Sequence, residues 1–270
     1  MRLKNIKSFI LFTLLLSACK SDVKPEITVI KSENQTDIII FDNANDIEDK
    51  NLKKVPSYIS GKLASYSSYE AVTHGETVAT VGIKTTQTID AKAIKSEYSY
   101  LINTSESSFV KCYHEAYFYN HEALYKEKES GSLTNVVIDE YLNNFGCYPL
   151  DNTLEGYLIS EDSIVNVTRV ESETENYKFK IIFDNEKSTN NVKIQMKKFG
   201  NLGDFPSFSY IEMVVEVTED FTLISNKLHA EYKAKKLVNT DCVQDYLVTY
   251  SNYNENIEVP NLDSVKSLFH

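Results

Sequence analysis

Four cysteines carry the sharpest potential chemistry in this 270-residue chain, and their surroundings divide them into one and three. Cys19 closes the run Leu16-Ser17-Ala18-Cys19 directly after an apolar stretch. A thiol is the side chain best suited to nucleophilic attack and covalent capping. Cys112, Cys147 and Cys242 are dispersed, with no C-x-x-C pair, so neither a zinc ribbon nor thioredoxin-like exchange is supported. One bridge among these three leaves a thiol over, and the pairing stays open. Cys112, between Lys111 and Tyr113, has a cation beside it but no recognisable partner, and reads as a packed strand residue. His114-Glu115 begins an H-E-x-x-H pattern, but Phe118 stands where the second histidine is needed. His121-Glu122 fails likewise at Tyr125. On a strand, His114 and His121 fall on opposite faces because their separation is odd. No G-x-S-x-G, phosphate-loop or dinucleotide glycine pattern occurs. The carboxylate pairs Glu161-Asp162 and Glu219-Asp220 read as solvated turn residues. The expectation is a protein that is no enzyme, with no metal and no cofactor.

The N-terminus gives Cys19 its context. Arg2, Lys4 and Lys7 make a basic start, and the apolar run Ser8–Leu16 is too short for a bilayer, which takes about 20 residues. This pattern reads as a secretory signal. Leu16-Ser17-Ala18-Cys19 resembles the bacterial lipobox at every position. The resemblance implies diacylglyceryl transfer to the Cys19 thiol and cleavage after Ala18. The expected organisation is a signal peptide over 1–18, a lipid-anchored stalk and lead-in segment over 19–58, and one domain over 59–270. The expected location is the extracytoplasmic face of the cell membrane, with the membrane itself as partner through the lipid on Cys19. Two acyl chains suffice for stable anchoring.

Composition narrows the remaining classes. Net charge is −11, and loss of residues 1–18, with three basic residues and no acidic one, takes it to −14. That balance excludes a nucleic-acid partner, which needs a basic footprint. It also opposes lying flat on anionic headgroups. Eighteen Tyr and thirteen Phe, against eight Gly and five Pro, favour pleated and half-buried surfaces.

Elements follow from alternation and punctuation. Asp42–Lys54 reads as a loop or short helix. Lys62–Thr73 and Glu76–Ala91 read as a hairpin turning at His74-Gly75, with Val78, Thr80 and Gly82 alternating against Ala79, Val81 and Ile83. Ile94–Asn103 and Phe109–Lys128 continue the strands. Val136–Phe145 reads as a helix stopped by Gly146 and Pro149. Ile164–Val170 and Tyr177–Phe183 are strands, and residues 189–199 a short amphipathic helix capped by Ser188. Ser207–Val217, Phe221–Ala234 and Cys242–Tyr253 complete a series of long antiparallel strands. No repeat of 20–50 residues recurs.

The expected class is α+β, mainly antiparallel β: a strongly curved sheet, or half-barrel, with two or three helices on its concave side. This order of elements resembles the LolA/LppX-like class of lipoproteins and carriers over about residues 60–260. The resemblance rests on topology and transfers no residue motif. It implies a cavity between curved sheet and helices that holds a lipid or other apolar ligand. Tyr98, Tyr100, Ile102 and Phe118, with Ile211, Met213, Val215 and Val217, are the candidate lining. The rival expectation is a filled core in a scaffold or sensor lipoprotein that contacts an envelope protein not yet identified.

Overall fold

A computed structural model of the chain describes residues 43–80, 82, 84–108, 111–146, 154, 156–235 and 238–270. The expected signal peptide, Cys19, the expected stalk up to residue 42 and Cys147 lie outside the described residues. Eleven strands form one antiparallel sheet: β1 Tyr69–Thr80, β2 Lys84–Lys95, β3 Ser99–Glu106, β4 Lys111–Tyr119, β5 Glu122–Lys126 and β6 Thr134–Val137, then β7 Ile164–Val170, β8 Tyr177–Phe183, β9 Ser207–Val217, β10 Leu223–Lys235 and β11 Asn239–Ser251. Four α-helices accompany them among the described residues: α1 Val55–Ser65, α2 Ile138–Phe145, α3 Asn190–Phe199 and α4 Leu262–Val265. The spatial order is β6-β5-β4-β3-β2-β1-β11-β10-β9-β8-β7. Two meanders thus meet at a central seam, where Glu70 pairs with Ser251 and Thr80 with Asp241.

The register assigns every strand residue to one of two faces, because side chains alternate along a strand. On the first face, Met213 pairs with Leu228, Leu228 with Tyr246, Tyr246 with Gly75, and Leu101 with Ala116. Helices α1, α2 and α3 cover this face. The larger core joins Val55, Ile59 and Leu63 of α1 to Phe179, Ile181, Ile211, Met213, Val215 and Val217. Each fully buried aliphatic side chain of this kind contributes about 1.5–3 kcal/mol. The smaller core sets Tyr141 and Phe145 of α2 on Ala116, Phe118 and Ala123. Among the described residues the second face is covered at β2–β5, where Val259 and Val265 of the C-terminal segment pack on Ile94, Tyr100, Tyr117 and Leu124.

Local chemistry explains the boundaries, and several differ from the sequence expectation. Strand β1 runs straight through His74-Gly75, and the chain turns around Gly82, whose φ is +81°. Gly75 marks a close approach: a Cβ there would lie 2.2 Å from the Cβ of Tyr246. The expected strand Ile94–Asn103 is broken, since β2 ends at Lys95 and β3 begins at Ser99. Phe109–Lys128 folds back on itself at Asn120-His121, both at positive φ, as a tight two-residue hairpin requires. Helix α2 starts two residues later than expected and ends at Gly146, at φ +66°, whose N–H reaches the Leu142 carbonyl at 2.7 Å. Thr189, not Ser188, precedes α3, and the Ser188 hydroxyl donates to the Asp184 carbonyl instead. Helix α1 was not expected at all. Pro56 in its first turn and the spacing Val55, Ile59, Leu63 are its signals, with Gly61 masking the pattern. Ala44, Ile47 and Leu52 already join the main core, so packing begins well before residue 59.

Candidate functional site

Strand β4 carries the sequence Tyr113-His114-Glu115-Ala116-Tyr117, and its alternation sends two polar centres to opposite faces. On the second face lies Glu115, whose side chain is 5% exposed. Its carboxylate accepts hydrogen bonds from Tyr117 at 2.7 Å, from Tyr100 at 3.4 Å and from Tyr113. Lys126, opposite Glu115 on β5, completes the set at 2.9 Å. Burial pushes the Glu115 carboxyl up, but the hydrogen bonds from Tyr113, Tyr117 and Lys126, with the Lys126 charge, outweigh it and hold the group below its ordinary value. Tyr100, Tyr113 and Tyr117 are pushed up, first by burial and then by the Glu115 charge they face. The cluster is therefore an ionised carboxylate among protonated hydroxyls.

Above this cluster is a cavity of about 500 Å³ that opens widely to solvent. Tyr117 and Lys126 form its floor, and Gly131, Ser132 and Leu133 of the β5–β6 connection form one wall. The other wall is the C-terminal segment, through Asn261, Ser264, Val265 and Leu268. That segment is fastened beyond the cavity. The Asn135 amide donates to the Leu268 carbonyl at 3.1 Å, and the His270 N–H to Glu122 at 3.1 Å. Phe269 packs on Tyr98 and Tyr119, which stack on each other with centroids 4.2 Å apart.

On the first face, His114 is 2% exposed and ringed by Tyr125, Tyr141, Phe145 and Phe199. Its Nε2 lies 2.7 Å from the Tyr141 hydroxyl, and its Nδ1 is buried with no hydrogen-bond partner among the described residues. Burial, then the nearby Lys198 charge, lowers its pKa to about 3, so the imidazole is neutral. His121 is exposed in the hairpin turn. No group of three or more potential ligands that could hold a metal exists among the described residues. Cys242 carries a free thiol, and the Cys112 thiol donates to the Phe199 carbonyl at 2.7 Å. Glu161-Asp162 and Glu219-Asp220 occupy turns, and Asp220 ties α1 to the sheet through Lys62 at 2.9 Å.

The eight residues expected to line one cavity are divided between the two faces. Ile211, Met213, Val215 and Val217 are each 0% exposed inside the main first-face core. Phe118 is on the same face but in the separate core under α2, edge-on to Tyr141. Tyr98, Tyr100 and Ile102 pack on the second face with the C-terminal segment. Of these, Tyr100 donates to Glu115 below the cavity, and Ile102 is the β3 register partner of Glu115. Lys126, Leu133, Asn261, Val265 and Leu268 were not anticipated. Glu115 had a legible signal, a carboxylate alternating with Tyr113 and Tyr117 on one strand face.

No protein-family model matches this chain, and no curated protein matches it. Among solved structures, it is similar to a LolA superfamily protein, NE2245, from Nitrosomonas europaea, with a TM-score of 0.27 and 8% identity over 81% of this chain and 97% of that one. A DUF1329 family protein from Desulfovibrio piger aligns with a TM-score of 0.28 and 8% identity, over 80% of this chain and 99% of that one. MucB, in complex with MucA(peri), aligns at 0.16 and 6%, over 76% and 94%. TM-scores this low transfer no role to this chain.

Proposed function

We propose that this chain is a lipid-anchored protein of the extracytoplasmic membrane face that holds an apolar or amphipathic ligand and catalyses no reaction. The observation that carries the reading is the cavity of about 500 Å³ between β4–β5 and the C-terminal segment. Sites for small molecules span about 300–1,000 Å³, with mostly apolar walls and a few placed polar groups. Here the walls are about half polar: Leu133, Val265 and Leu268 supply the apolar part, and Lys126, Ser132, Asn261 and Ser264 the polar part. Curvature of the sheet around α1–α3 belongs to the same reading, with a packed first face and the ligand on the second. The lipobox resemblance at Leu16-Ser17-Ala18-Cys19 supports the anchor, and Cys19 is its attachment point.

Two measurements test it. Metabolic labelling with palmitate marks the wild-type chain and not Cys19→Ser if the anchor is right; equal labelling, or none in either, rejects it. Native mass spectrometry of the full Cys19→Ser chain shows a bound small molecule that disappears on filling the cavity with Ser132→Trp. A single unliganded mass in both proteins rejects the ligand and leaves the scaffold alternative, which the packed first-face cores favour.

A further inference from the structure

We infer that the ligand of this cavity is an anionic amphiphile, its carboxylate or phosphate head held by Lys126 and its tail lying along Leu133, Val265 and Leu268. This assignment rests on the ligand-binding reading above and specifies the ligand's chemistry.

Among the described lining residues the one charged side chain is a lysine. The chain has 39 acidic residues against 28 basic ones, yet the cavity is lined by one lysine and no carboxylate. Ser132, Ser264, Asn261 and the Tyr117 hydroxyl complete its polar side chains. Glu115 lies beneath this lining and is already saturated by three tyrosine hydroxyls and the Lys126 ammonium. Asp263, on the wall segment, is turned fully to solvent beside Lys266.

Lys126 has capacity for a guest. An ammonium has three donors. One reaches Glu115 at 2.9 Å and one the Glu129 carbonyl at 3.2 Å. The third makes no further hydrogen bond among the described residues, although the Tyr113 ring lies 5.7 Å away, and it is left for an oxygen in the cavity; a hydrogen bond of this kind to an anionic oxygen is about twice as strong as a neutral one. The Glu115 pair holds the lysine stem in place, so the head group meets a cation already ordered. A cationic or purely donating head would meet the same ammonium at close range and be disfavoured.

The test compares probes with one tail and different heads on the full Cys19→Ser chain: decanoate, decyl phosphate and decanol, by isothermal titration. The expected result is that decanoate or decyl phosphate binds at least ten-fold more tightly than decanol. The tighter of the two anions identifies the source as a fatty acid or a phosphate-headed lipid. Lys126→Met is expected to lower anion affinity ten-fold or more while leaving decanol within two-fold, and Lys126→Arg to restore most of the loss. Decanol binding as tightly as both anions to the wild-type chain overturns the head-group assignment alone, even if Lys126→Met fails to fold. Binding by none of the three overturns the cavity reading itself. Anion binding undiminished in a folded Lys126→Met chain also overturns the role of Lys126.

Discussion

Glu115 and Lys126 face each other across β4 and β5, 2.9 Å apart, with the carboxylate 5% and the ammonium 21% exposed. Removing the acid strands one cation and three tyrosine hydroxyls beneath the C-terminal segment. Glu115→Ala is expected to destabilise the protein by about 2–4 kcal/mol, less than a fully buried pair because Lys126 retains some water. Guanidinium unfolding measures the loss, and a change below about 0.5 kcal/mol contradicts the packing described.

The buried His114 predicts a separate acid sensitivity. Its pKa falls from 6.5 to about 3 on folding. A depressed folded value means that its contribution is fully present above about 6.5 and is lost as pH falls towards about 3. The slope is at most about 1.4 kcal/mol per pH unit. Between pH 7.5 and 5.5, the wild-type chain is expected to lose about 1 kcal/mol more than His114→Phe. Glu115, also depressed, contributes fully above its unfolded value of 4.5 and loses that only at lower pH. Denaturation midpoints at several pH values separate the two windows.

Two glycines make opposite predictions. A Cβ at Gly75 would collide with Tyr246, whereas one at Gly61, exposed on α1, meets nothing within 4 Å. Gly75→Ala is expected to cost about 1–3 kcal/mol by overpacking. Gly61→Ala is expected to stabilise by about 0.5–1 kcal/mol through helix propensity and a stiffer unfolded chain. Thermal melts of both variants check the pair, and the same sign in each refutes the assignment.

The C-terminal segment covers an apolar surface. Val265 is 4% exposed against Ile94, Tyr100, Tyr117 and Leu124. Val265→Asp places a charge there, and the segment is expected to lift. An environment-sensitive dye such as ANS then gains fluorescence while far-UV circular dichroism stays nearly constant. Loss of all sheet signal would mean that the segment is integral to the sheet.

Alternation on β8 and β9 made their extents readable to the residue, because each carries one buried row; β7 is legible as a β-branched run, although a bulge near its start leaves Ile164 and Val167 buried three residues apart. The turn at His74-Gly75 misled because glycine there serves a cross-strand contact with Tyr246, 171 residues away, which local punctuation does not encode. Helix α1 was hidden for a related reason: its stripe is three residues wide and helix-weak Gly61 interrupts it. The second-face site was invisible because its walls come from β4–β5, the β5–β6 connection and the C-terminal segment. Only the Tyr113-Glu115-Tyr117 alternation hinted at it. Composition marked the aromatics as suited to pleated, half-buried surfaces, but register, not composition, decides that Tyr100 and Phe118 point apart.

The central seam has a consequence for the order of assembly. Strand β1 is made early, yet its neighbour β11 emerges more than 150 residues later. The meander β1–β6 therefore exists for a time with a twelve-residue flank of unpaired amides and carbonyls, a ready template for another copy. Nascent chains that pause before β11 should stick to one another through that flank, so slow or truncated synthesis will be punished by aggregation well before any folded-state defect is felt.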